Sequence, residues 1–113
     1  MTGPSKALQT MKAEFFGALA HPMRIRLLEV LSEKGEQSVQ ALHTRLDVDQ
    51  PIVSQQLAKL RAHGVVISRK EGTTVFYALA DPRIADLLTV AKEILNRRLT
   101  GSRTLLHELR RLG

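Results

Sequence analysis

Gln50–Leu79 reads QPIVSQQLAKLRAHGVVISRKEGTTVFYAL, and this stretch decides the fold. On a helix at 100° per residue, Val53, Leu57 and Leu60 fall within about 60° of one another and form an inward stripe. The opposite arc holds Pro51, Gln55, Ala58, Lys59 and Ala62, with Ser54 and Gln56 on its flanks. Gly64 then supplies a helix stop. Val65, Ile67 and Arg69 alternate with Val66, Ser68 and Lys70, and Thr73, Val75, Tyr77 and Leu79 alternate with Thr74, Phe76 and Ala78. β-Branched and aromatic residues on either side of Glu71-Gly72 predict a hairpin turning there, with a basic tip.

A helix whose outer face is polar, nearly uncharged and built on small alanines can sit deep in a groove. Ser54, Gln55 and Gln56 there can hydrogen-bond base edges or phosphates, and glutamine pairs bidentately with adenine. Lys59 and Arg61 suit phosphates. Arg69 and Lys70 on the hairpin suit the flanking backbone or minor groove. The expected ligand is double-stranded DNA.

Working outward, Ser38 is placed to cap a short helix carrying Val39, Leu42 and Leu46, and Leu46-Asp47-Val48-Asp49 predicts a tight turn. Asp49 is expected to cap the next helix, with Pro51 in its first turn, where a missing N–H does no harm. Two short helices so joined make a helix-turn-helix. Upstream, Leu8, Met11, Phe15 and Leu19 share a helix face. A second helix starts at Pro22, carries Ile25, Leu27, Leu28 and Leu31, and stops at Gly35. Downstream of Asp81-Pro82, a long helix shows Ile84, Leu87, Leu88, Ala91, Ile94, Leu95 and Leu99, and Thr100-Gly101-Ser102 interrupts it.

The expected fold is mainly α with a small β-hairpin (α+β), a winged helix-turn-helix in the order α-α-α-α-β-β-α. It forms one domain over residues 1–113, with 1–5 mobile and 100–113 a basic amphipathic C-terminal extension. So small a chain has little to cover its first and last helices. Leu8, Met11 and Phe15, with Leu87, Leu88, Ala91, Ile94 and Leu95, are therefore the expected homodimer interface, which matches a palindromic operator.

The net charge of +6 and pI near 10.3 favour polyanionic partners. Residues 81–113 hold seven Lys/Arg against four acids, while residues 47–80 hold four against three. The largest share of the surplus thus lies in the last third, and bulk charge alone does not identify the reading head. There are no cysteines, which excludes disulfides and thiolate metal sites. With no signal peptide and no apolar run of about 18 residues, a cytoplasmic protein away from membranes is expected.

No Ser/His/Asp or Cys/His arrangement, phosphate-binding glycine loop or carboxylate pair supports catalysis, so no catalytic residue is assigned. His21, His43, His63 and His107 form no i, i+3 or i, i+4 pair and encode no helical chelate. A nitrogen/oxygen site across a dimer would draw on His21, Asp81, Asp86, Glu93 and His107. It would take nickel or zinc as an effector, not as a required cofactor. The rival function is a protein-interaction module or co-regulator, binding a partner through the winged helix and the basic tail. DNA binding would weaken steeply with salt, whereas a leucine-driven contact would barely respond.

Ala18-Leu-Ala-His-Pro-Met-Arg-Ile-Arg-Leu-Leu28, Val53-Ser-Gln-Gln-Leu-Ala-Lys-Leu-Arg61, Gly64-Val-Val66 and Arg69-Lys-Glu-Gly-Thr-Thr-Val-Phe-Tyr77 together resemble the ArsR/SmtB family of bacterial winged-helix repressors. The match runs from about residue 8 to 99. It implies a homodimer that represses its own operon, often in response to a metal or other small inducer. The family's reading positions fall on Gln50, Ser54, Gln55, Gln56 and Lys59, with the wing at Arg69 to Thr74. Its thiolate site would occupy Ser38 to Leu42, where there is no cysteine. Its interfacial metal site begins Asp-x-His and ends His-x-x-Glu. Here the start is Asp81-Pro82-Arg83 and the finish falls on Ile94 and Arg97, so only Asp81 survives.

Overall fold

The structure, a computed structural model, describes residues 4–100 together with 107, 110 and 111. Its elements run α1 (Pro4–Leu19), α2 (Pro22–Lys34), β1 (Gln37–Ser38), α3 (Val39–Leu46), α4 (Gln50–Ala62), β2 (Val66–Glu71), β3 (Thr74–Leu79) and α5 (Arg83–Thr100). This is the expected winged helix-turn-helix with one addition. The two residues of β1 pair with β3, so the hairpin is part of a three-stranded antiparallel sheet ordered β1-β3-β2. Pro4 and Ser5 already belong to α1, inside the segment expected to be mobile. Of the expected C-terminal extension, Thr100 ends α5 and His107, Arg110 and Arg111 are helical and exposed, and the rest lies outside the described residues.

Local chemistry sets the boundaries. At the head of α2 the His21 ring accepts a hydrogen bond from Met23 N at 3.1 Å, and Pro22 needs no such partner. Gly35 ends that helix at φ +76°, a conformation costly for a residue with a Cβ. Ser38 Oγ accepts from Ala41 N at 3.0 Å and starts α3. Asp47, left-handed at φ +53°, ends it. Between α3 and α4, the His43 ring donates to Val48 O at 2.6 Å while its carbonyl accepts from Val48 N at 3.3 Å. That histidine closes the turn from both sides, a structural use that leaves Nδ1 unavailable to a metal.

Asp49 occupies the cap position of α4, but its side chain makes no capping bond, contrary to expectation; its carbonyl accepts from Ile52 N and Val53 N instead. The hairpin turn also lies one residue later than the sequence suggests. Glu71 pairs with Thr74, which leaves Gly72-Thr73 as a two-residue turn with the positive φ on Gly72.

Leu27, Leu28, Leu42, Val53, Leu57, Leu60 and Val65 are fully buried and knit α2, α3 and α4 to the sheet. Tyr77 and Val66 close this core from the sheet, and Ile84 closes it from α5. One face of α4 is thereby fixed and the other is presented outward.

Candidate nucleic-acid interface

On α4, Gln50, Pro51, Gln55, Ala58, Lys59, Arg61 and Ala62 are exposed and Ser54 is half-buried. The outward arc is thus the one the spacing predicts, and Gln55 stands on it with Ala58 and Ala62 beside it. Ile52 joins this face as an apolar residue at 45% exposure. Its helical angle, about 60° from Gln55, was a readable sign of that position. Gln40, Thr44 and Arg45 on α3 are exposed as well.

Gln56 is a correction. Its side chain is buried at 8% exposure, and its Oε1 accepts a hydrogen bond from Arg24 Nη1 at 3.0 Å. Arg24 Nε also donates to Ala18 O at 2.6 Å, at the end of α1. Arg24 therefore joins α1, α2 and α4, and Gln56 packs inward as its partner instead of standing on the outer face. A buried amide must be paired, and the guanidinium supplies the partner.

Arg69, expected on the wing to face DNA, is exposed and held by two carboxylates. Its Nε donates to Glu36 Oε2 at 2.9 Å, Nη2 to Glu36 Oε1 at 2.7 Å and Nη1 to Glu71 Oε2 at 2.7 Å. The guanidinium also lies 4.6 Å from the Phe76 ring centroid. Its hydrogen bonds hold the Glu36 carboxyl below its ordinary range, and Arg69 itself is pushed up by Glu36 first and Glu71 second. Lys70, Thr73 and Thr74 are exposed, and among the described residues Lys70 has no ionic partner.

A helix-turn-helix domain profile matches residues 19–69. An HTH-type transcriptional regulator of Mycobacterium tuberculosis, Rv0081, is 42% identical over 109 residues, covering 96% of each chain. Its crystal structure superposes with a TM-score of 0.76 over 88% of this chain and 97% of that one, at 44% identity. A transcriptional repressor SmtB homolog of Synechocystis is 41% identical over 75 residues, covering 66% of this chain and 56% of that protein. This chain belongs to the ArsR/SmtB family of winged helix-turn-helix transcriptional regulators. A homodimeric winged helix-turn-helix DNA-binding domain from Mycobacterium bovis, a possible ArsR-family regulator, superposes with a TM-score of 0.79 at 28% identity. That match covers 88% of this chain and 91% of the other.

As an ArsR/SmtB protein the chain departs from the family's two sensing chemistries. Ser38, at the expected thiolate position, caps α3. Asp81 accepts from Arg83 N at 2.9 Å and pairs with the Arg83 guanidinium at 2.7 Å. The Arg83 side chain first, and its backbone N–H second, pull the Asp81 carboxyl down to about 2, so it is a charged cap near neutral pH. The His21 ring spends Nδ1 on α2, while Asp86, Glu93 and His107 are exposed. Among the described residues no three His, Cys, Asp or Glu side chains gather within reach of one ion.

The residues expected at a dimer interface lie on α1 and α5. Leu8, Met11 and Phe16 on α1 and Val90, Ile94, Leu95 and Leu99 on α5 are all exposed. Ala91 is exposed with them. Phe15 is half-buried against the core with Phe16 edge-on to it at 5.5 Å, so the more exposed ring is Phe16. Leu87 and Leu88 pack partly on the protomer's own core. No described helix is long and apolar enough to cross a membrane.

Proposed function

We propose that this ArsR/SmtB protein acts in the cytoplasm as a homodimeric repressor on a palindromic operator. α4 enters the major groove and the Gly72-Thr73 tip lies on the flanking backbone. The observation that carries this reading is the outward face of α4. Gln55 there is exposed and uncommitted, the neighbouring alanines are small enough for close approach, and Lys59 and Arg61 flank it. The exposed apolar residues of α1 and α5 support the dimer, as does the homodimeric state of the M. bovis relative. Two copies would address half-sites about 34–36 Å apart, or a multiple of that. The role is regulatory and assigns no catalytic residue.

The test is Gln55→Ala, titrated by fluorescence anisotropy on the protein's own upstream DNA and on single-base variants of it. A base-edge contact predicts a loss of about 1–3 kcal/mol on the preferred sequence and relaxed preference at one position in each half-site. Equal weakening on every sequence would remove Gln55 from base reading and leave it on a phosphate.

A further inference from the structure

Arg69, Phe76 and Glu36 form a stitch across the three strands. Arg69 is the register partner of Phe76, and Phe76 pairs in turn with Ser38 of β1. Side chains of paired residues lie on one face, so the guanidinium crosses over the Phe76 ring on β3 to reach Glu36, the residue before β1. Ser38, two residues beyond Glu36, is the N-cap of α3. The stitch thus fastens the wing to the root of the helix-turn-helix. All three guanidinium nitrogens are engaged by the two carboxylates, with contacts between 2.7 and 3.1 Å. The Nε/Nη2 edge is bidentate on Glu36 and Nη1 on the remaining edge is held by Glu71, so a phosphate would have to compete with two carboxylates. The charges of Arg69 and Lys70 are also matched by those of Glu36 and Glu71.

We infer that Arg69 is a positioning residue that sets the angle of the wing through Glu36, and that Lys70 and the Gly72-Thr73 tip make the DNA contact. This rests on the DNA-binding reading above and names the working parts of its wing.

The two roles predict opposite signs. Glu36→Ala deletes a negative charge near the expected DNA path. If Arg69 touches phosphate, freeing it should tighten binding and steepen the salt dependence. If Arg69 positions the wing, the same change should weaken operator binding by about threefold to fivefold, the scale of an exposed ion pair. The experiment is a double-mutant cycle of Glu36→Ala, Arg69→Ala and both together. Each is titrated on upstream and scrambled duplex DNA at several salt concentrations, with circular dichroism confirming the fold. The double variant keeps the wild-type net charge. The expected result is that it binds the operator no more weakly than either single variant, with the wild-type salt slope, because both changes break one linkage. A slope shallower by about 0.9 in the double variant would make Arg69 a phosphate contact and overturn the inference. So would operator binding unaffected or tightened by Glu36→Ala. Failure of the wild-type protein to bind DNA at all would instead overturn the proposed function.

Discussion

Glutamate in place of Leu95 should leave the protein monomeric at micromolar concentration and lower its operator affinity by about a hundredfold or more. Leu95 lies near the middle of the α5 stripe and is 51% exposed in the single chain, so the protomer's own core loses little. A charge set into an apolar seam must be desolvated without a partner, which opposes association directly. A dimer delivers its second reading head at high effective concentration once the first is bound, and that gain is typically about 10²–10⁴. Sedimentation velocity would report the monomer, and anisotropy on upstream DNA would report the affinity. Thermal unfolding should also lose its dependence on protein concentration. A variant that remains dimeric would show that α5 is not the seam.

Arg24→Ala should destabilise the fold by about 1–3 kcal/mol, seen as a lower urea midpoint with an unchanged slope. The change leaves Gln56 Oε1 buried without its donor and removes the donor to Ala18 O. Replacing both partners with apolar residues of similar shape, Arg24→Met with Gln56→Leu, should recover most of the loss, since no polar atom is then stranded. If Arg24→Ala costs less than about 0.5 kcal/mol, the range of ordinary surface changes, then Gln56 reaches solvent and belongs on the reading face after all.

These corrections show what could and could not be read in the chain. Val53, Leu57 and Leu60 recur at helical spacing, so the buried face of α4 followed from periodicity, and with it the outward placement of Gln55. Gly35, Ser38 and Gly64 mark boundaries by local chemistry, and all three do so in the structure. β1 is only two residues long, too short for any alternation to register. Gln56 was partly legible, since the helical wheel puts it about 40° from Leu60, at the border of the apolar arc. Its polarity argued for the surface, and the compensating Arg24 lies 32 residues away, where no local pattern points to it. Arg69 is similar. Strand alternation puts Glu71 on its face, whereas Glu36 is 33 residues upstream and comes near only because β1 pairs with β3. The sensory chemistry of the family is a different case. Its thiolates and most of its interfacial ligands are missing from the sequence itself, and Ser38 and Asp81 serve as helix caps in their place.

The central claim is that this chain binds duplex DNA specifically through α4 and the wing, and salt-dependent anisotropy on its own upstream DNA tests it most directly. Binding should weaken linearly on a log–log plot, with a slope near −0.9 for each phosphate neutralised. The upstream sequence should be preferred over a scrambled duplex by about 10³ or more. Affinity that is flat with salt, or equal on the two duplexes, would contradict the account and favour a module that binds protein.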